Sequence, residues 1–160
     1  MVIKFVEYNH PHLVALAEQL DAFFYARYGE ATLKYSRYHD MSKLACAAVA
    51  YLEDKPIGCC CWKPMDAATA EIKRMFVQPE CRRRGVAMQL IAQIEAHAAA
   101  SGCHRAVLET GADMDGAIAA YERMGYQRCA GFGDFVNDTG AVSYTHLPYA
   151  DGAKHAAWQF

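Results

Sequence analysis

Arg82-Arg83-Arg84-Gly85-Val86-Ala87 is the stretch of this sequence whose residue types and order could do chemistry. It falls between a segment patterned as a strand, Ala70 to Val77, and the first turn of a segment patterned as a helix. A helix start exposes backbone N–H groups that have no intrahelical acceptor, together with the positive end of the macrodipole. Gly85 and Ala87 carry too little side chain to obstruct an approaching phosphate. Three guanidinium groups beside that turn attract a polyanion, and a diphosphate suits the arrangement. The competing reading is a solvated charge cluster in which Gly85 only allows close packing. Neither a GxxxxGK[ST] loop nor a GxGxxG fingerprint is present, so the common nucleotide-binding loops are unsupported.

The elements that must position this turn can be read from local pattern. Val2 to Tyr8 suits a short strand ending at Asn9-His10-Pro11, and Leu13, Leu16, Ala17, Leu20 and Phe24 form the apolar face of a helix that stops at Gly29. Glu30 to Lys43 shows no period and reads as helix fragments and loop. Ala45 to Leu52 and Ile57 to Trp62 are near-continuous apolar runs around Glu53-Asp54-Lys55-Pro56, which predicts a hairpin of central strands. Gln78-Pro79-Glu80 ends the strand over Ala70 to Val77. Val86, Leu90, Ile91, Ile94 and Ala98 share one face of a helix that Ser101-Gly102 closes. His104 to Thr110 reads as a strand, Asp115 to Met124 as a short helix, Tyr126 to Cys129 as a strand start and Ala141 to Leu147 as a last strand. Strands interleaved with helices predict a mixed α/β sheet.

Composition limits the alternatives. With 160 residues, 54% apolar and 21% charged, the chain is expected to form a single folded domain over residues 1–160. A net charge of −2 offers no bulk attraction for nucleic acid or anionic membrane, so neither is expected as a partner. Seven cysteines, three of them consecutive at Cys59 to Cys61 and none in a CxxC pair, argue for a reducing compartment and against a zinc site. No apolar run approaches the roughly 20 residues of a spanning helix. Charges at Lys4 and Glu7 interrupt any leader-like stretch, and a cytoplasmic location is expected.

The hexapeptide matches Q/R-x-x-G-x-G/A, with Arg82 first, Gly85 fourth and Ala87 sixth, and here the chain resembles the GNAT superfamily of acetyl-CoA-dependent N-acetyltransferases. Ala70-Glu71-Ile72-Lys73-Arg74-Met75-Phe76-Val77 looks like the family's fourth strand. Glu109-Thr110-Gly111 and Ala117-Ile118-Ala119-Ala120-Tyr121-Glu122-Arg123-Met124-Gly125-Tyr126 look like its fifth strand and the helix that follows. The resemblance implies a mostly antiparallel central sheet flanked by helices, with the fourth and fifth strands splayed around the pantetheine arm of acetyl-CoA. Backbone groups near Met75, Phe76 and Val77 would pair with the pantetheine amides, as an added strand does. Backbone amides from Arg83 to Met88, through Arg84, Gly85, Val86 and Ala87, would hold the pyrophosphate.

The resemblance also implies roles at the reacting centre. Glu71, eleven residues before Arg82, matches a position where several family members carry a catalytic glutamate that accepts the amine proton. Its other reading is a strand-end carboxylate, exposed or paired with Lys73. Tyr121 matches the family tyrosine that protonates the departing thiolate, although a phenol near pKa 10 is a weaker acid than a thiol near 8.5. Its other reading is a core aromatic. A main-chain N–H near Phe76 or Val77 would meet the oxyanion. Many family members carry Asn three residues before Ala117, where this chain has Met114. In the family that Asn implies a hydrogen bond to the coenzyme, and Met114 in its place favours a second reading, a non-catalytic acyl-CoA sensor, whereas Glu71 and Tyr121 together favour an enzyme.

The acceptor implied is a primary amine of a small molecule or peptide. Phe24, Tyr25, Tyr28, Tyr35 and Tyr38 either line its pocket or form a packed or dimerising surface. Homodimers are common in the family, though no pattern here specifies one. His97 is expected on the exposed side of its helix, Cys59 to Cys61 as small core and edge residues, and no metal is expected. The tail beyond Leu147-Pro148 matches nothing in the family.

Overall fold

The structure, a computed structural model, describes residues 1–133 and 136–147, and of residues 36–39 it describes the backbone alone. The tail from residue 148 and the side chain of Tyr38 therefore lie outside the described residues. Seven strands form one mixed sheet in the order β1-β2-β3-β4-β5-β7-β6. They are β1 Val2–Val6, β2 Cys46–Leu52, β3 Lys55–Pro64, β4 Thr69–Val77, β5 Arg105–Gly111, β6 Gln127–Cys129 and β7 Ala141–His146. Among the described residues three α-helices accompany them, α1 Pro11–Tyr28, α2 Val86–Ala100 and α3 Asp115–Arg123. Each expected strand and helix is present, with ends that agree or shift by one or two residues.

Contacts divide the chain into two units, and β4 contributes to both. The first holds Met1–Lys63 and Ile72–His97. Its first helix is well punctuated: His10 Nδ1 accepts from the His12 N–H at 3.2 Å, Pro11 opens the first turn, and Gly29 at φ 59° closes the last. The stretch after it, which lacks an apolar period, winds as 3-10 turns over Gly29–His39 and Met41–Lys43. Asp40 caps the second of these by accepting from the Ser42 N–H at 3.0 Å.

The β2–β3 hairpin turns on Glu53 and Asp54, both with positive φ, as a two-residue turn matching strand twist requires. Leu13, Leu16 and Leu20 of α1 pack on Ala47, Val49, Cys59, Cys61 and Phe76, one face of the sheet. The opposite face meets α2. A Cβ on Gly58 would stand 3.4 Å from Leu90 Cδ1 and 2.7 Å from the Phe76 carbonyl oxygen, so only glycine fits there. Two covered faces explain why β2 and β3 read as continuous apolar runs rather than alternating ones.

The same layering corrects two expectations. Cys59, Cys60 and Cys61 are all fully buried, so none is an edge residue. His97 is not on an exposed side: its Nδ1 accepts from the buried Trp62 indole N–H at 3.3 Å, and its ring lies 5.4 Å from Phe5. A buried indole N–H without an acceptor would be costly, which gives that histidine a structural use.

Burial also decides thiol chemistry. It pushes Cys59 up to about 12 and Cys60 and Cys61 well above the ordinary thiol value of 9.0. A raised folded-state pKa contributes stability that is complete below the unfolded value and is lost as pH rises through the folded one, so this term weakens the fold from about pH 9 upward. At pH 8 an aromatic disulfide reagent will leave these three thiols unmodified in the native protein and reach them only in denaturant. Native-state labelling of any of the three, located by peptide mass, would contradict this packing.

The second unit holds Pro64–Glu71 and the chain from Ala98 onward. Thr69, Ala70 and Glu71 pair in parallel with Arg105, Ala106 and Val107, and the ladder ends there. Beyond it β5 pairs antiparallel with β7 over six residues, and β7 with β6 over three. Arg105 donates to Thr69 Oγ1 from Nε at 3.2 Å and Nη2 at 2.9 Å, fixing the entry into β4. Gly125, at φ 88°, ends the turn after α3, and its missing Cβ would stand 3.2 Å from His146 Nε2. Tyr144, buried on β7, donates to Glu122 Oε1 at 2.9 Å.

Candidate active site

The first unit carries the turn that the sequence marks for an anion. Gln78 N–H donates to the Ile57 carbonyl at 2.9 Å, and Pro79–Cys81 makes a 3-10 turn that delivers the chain to Arg82. Arg83 follows at φ 61° and Gly85 at φ 75°, two left-handed residues in three. The first helical bond runs from the Gln89 N–H to the Gly85 carbonyl at 3.1 Å. By helix geometry the N–H groups of Val86, Ala87 and Met88 therefore precede any i−4 acceptor within α2. Val86 is buried and anchors the turn, whereas Arg82, Arg83 and Arg84 are exposed.

Gly85 is a glycine for conformation and open space rather than for close packing. Among the described residues, a Cβ there would meet only Gln89 Nε2, at 3.9 Å. That removes the packing half of the competing reading, because none of the described residues presses on the position. A left-handed non-glycine residue costs about 1 kcal/mol or more, and Arg83 bears that cost beside it.

Arg82 differs from its two neighbours. Its Nε donates to the Val77 carbonyl at 2.9 Å, and its guanidinium lies 5.5 Å over the Phe23 ring. The structure thus brings together the end of β4 and the start of the arginine turn, two segments the sequence marks separately. Arg83 and Arg84 remain the exposed cations of the turn.

Upstream in β4, Met75, Phe76 and Val77 follow an irregularity. Arg74 has φ 54°, a left-handed residue in mid-strand, and such a residue is the mark of a bulge. Its guanidinium pairs with Asp21 of α1 at 2.5 Å, and its carbonyl accepts from the Cys59 thiol at 3.2 Å. Phe76 and Val77 are buried and Met75 is half-buried. Sequence pattern did not single out Arg74, because nothing local in Lys73-Arg74-Met75 signals positive φ.

The second unit carries the two candidate proton-transfer residues. Glu71 is 5% exposed, which excludes the exposed strand-end reading, and it stands opposite Val107 as the last rung of the parallel ladder. Tyr121 is 8% exposed near the end of α3, where its ring lies 5.9 Å from that of Tyr126. Its carbonyl accepts from the N–H groups of Met124 and Tyr126, so the turn after the helix holds its backbone. Met114 caps α3 with no side-chain hydrogen bond, a position where an Asn would ordinarily accept from the first turn. Among the described residues no group of three His, Cys, Asp or Glu could hold a metal ion, and no helix is long and apolar enough to cross a membrane.

The mixed sheet with one parallel pair, flanked by helices, is shared with acyl-CoA N-acyltransferases. A Klebsiella pneumoniae structure described as a candidate acyl-CoA N-acyltransferase superposes with a TM-score of 0.75 at 27% identity, covering 90% of this chain and 94% of that one. The PaiA N-acetyltransferase of Thermoplasma acidophilum, solved with coenzyme A, superposes with a TM-score of 0.70 over 92% of this chain and 99% of its own, at 16% identity, a likeness of fold alone. The chain belongs to the acetyltransferase (GNAT) family, whose sequence model matches residues 13–126. The uncharacterised N-acetyltransferase YsnE of Bacillus subtilis is 36% identical over 98 residues, 60% of this chain. The matched stretch is 65% of the length of YsnE, just under two thirds.

Proposed function

We propose that this protein transfers the acetyl group of acetyl-CoA to a primary amine of a small molecule or peptide, by direct attack in a ternary complex. The observation that carries the reading is the turn from Arg82 to Met88, with Gly85 at φ 75° and open space where a side chain would stand. Main-chain N–H groups there would hold the pyrophosphate, and Arg83 and Arg84 would add charge. Coenzyme A in the Thermoplasma relative supports the choice of ligand.

The neutral amine attacks the thioester carbonyl, the C–N bond forms, and the resulting oxyanion is met by a main-chain N–H near Phe76 or Val77. Collapse breaks the C–S bond. Tyr121 gives a proton to the departing thiolate, and Glu71 takes the proton released from the amine, directly or through water. Burial raises Cys103 and Cys129 above the ordinary thiol range, which supports direct attack over a cysteine-bound acetyl intermediate. Seven free cysteines fit a reducing compartment, and we place the protein in the cytoplasm.

The uncapped Met114 favours one second reading, an acyl-CoA sensor without turnover. Release of free thiol from acetyl-CoA across a panel of amines separates the two. Turnover with one amine class, alongside CoA binding by calorimetry, is the expected result. Tight binding with no thiol release from any amine would favour the sensor, and no binding would overturn both.

A further inference from the structure

Arg74 occupies the middle of β4 in a conformation that an arginine in a regular strand does not adopt, with φ 54°. Its side chain is equally unusual for a strand cation: only 9% of it is exposed, and Nη1 and Nη2 donate to Asp21 Oδ1 and Oδ2 at 2.5 and 3.4 Å. Both oxygens of the carboxylate are engaged, the fork geometry that fixes orientation as well as charge. Asp21 belongs to α1, 53 residues away in sequence. The backbone at Arg74 and just after it is fitted too. The Cys59 thiol donates to the Arg74 carbonyl, and the Phe76 carbonyl approaches Gly58 so closely that a Cβ there would stand at 2.7 Å.

We infer that the Asp21–Arg74 pair is a positioning device, whose product is the direction of the main chain at Met75, Phe76 and Val77. A left-handed residue breaks the two-residue alternation of a strand and re-aims the groups that follow it. A non-glycine residue holds that conformation only when its surroundings over-determine it, and the ion pair to α1 supplies the constraint. Resting on the proposed function, the inference assigns Asp21 and Arg74 to acetyl-CoA: they set the backbone amides that would pair with the pantetheine arm and meet the thioester carbonyl. Both act through the β4 backbone and not on the acetyl group.

Replacing the side chain while varying backbone freedom tests this. Arg74→Ala removes the pair and keeps the left-handed penalty, whereas Arg74→Gly removes the pair and the penalty together. Acetyl-CoA affinity by calorimetry, at a temperature well below every variant's melting point, is expected to fall about tenfold or more in Arg74→Ala and to recover most of that loss in Arg74→Gly. Asp21→Asn weakens binding in the wild-type background but changes it less than about twofold when added to Arg74→Gly, because the residue it acts through is gone. With an accepted amine, the loss appears in the KM for acetyl-CoA and in kcat, while the KM for the amine holds. Should Arg74→Ala not fold, Asp21→Asn with and without Arg74→Gly carries the same comparison. Equal affinities for the Ala and Gly variants, or an undiminished Asp21→Asn effect in the Gly background, would overturn the inference while wild-type binding upheld the proposed function. Failure of the wild-type protein to bind any CoA ester would overturn the function first.

Discussion

Gly85→Asn will bind acetyl-CoA about 100-fold more weakly than the wild-type protein while melting within a few degrees of it, a loss of about 2.7 kcal/mol in binding. Asparagine tolerates the left-handed conformation better than other side-chain-bearing residues, so φ 75° can persist. There is room for the new side chain, since among the described residues the position has only Gln89 Nε2 within 4 Å. What the side chain would obstruct is the approach of a phosphate to the N–H groups at the start of α2. Gly85→Ala separates the terms: it adds backbone strain of about 1 kcal/mol with far less obstruction, so its stability falls more and its affinity less. Calorimetric titration with CoA and thermal melting measure both. An Asn variant that binds as well as wild type would mean that this turn holds no phosphate, and the proposed function would lose the observation that carries it.

Tyr121→Phe will lower kcat about 100-fold with the KM for acetyl-CoA nearly unchanged, because general acid catalysis contributes about 10²–10⁴ and the ring itself is retained. The substitution is chosen for packing. Tyr121 is buried against Tyr126, and phenylalanine keeps that ring contact, so the measurement reads the hydroxyl. Acceleration by a better leaving thiol supplies a control: acetyl donors whose thiols are stronger acids need less proton assistance and should narrow the gap between variant and wild type. An unchanged kcat would leave Tyr121 as a core aromatic and move the acid role to another group or to water. Glu71 would then carry the remaining proton-transfer assignment, and its burial at the last rung of the β4–β5 ladder makes it a carboxylate held in place by the sheet.

Most elements were legible because their signals are local. The Gly29 stop, the Glu53-Asp54 turn and the apolar face of α2 each lie within one or two turns of chain, and the expected segments appear within a few residues of their predicted ends. The arginine turn was legible for the same reason, since strand, turn and helix start are contiguous. Arg82 was only half legible. Its charge suggested a phosphate contact, yet its Nε is committed to the Val77 carbonyl and its guanidinium lies over Phe23, a residue of α1 that no spacing rule connects to it. His97 was misjudged because a helix-face argument counts residues on its own helix, whereas the indole of Trp62 on β3 decides its environment.

By itself the sequence determined the order of strands and helices, the place of the arginine turn and the family likeness, all of which depend on residue types close together in the chain. Tertiary structure alone decided that the three consecutive cysteines are sealed on both faces, that Gly85 stands in open space, and that Arg74 is held left-handed by Asp21. The physical reason is range. Propensity, capping and periodicity act over a few residues, but burial and ion pairing depend on which distant segments the fold presses together, and β4 takes its shape from α1 and β3 rather than from its own residues.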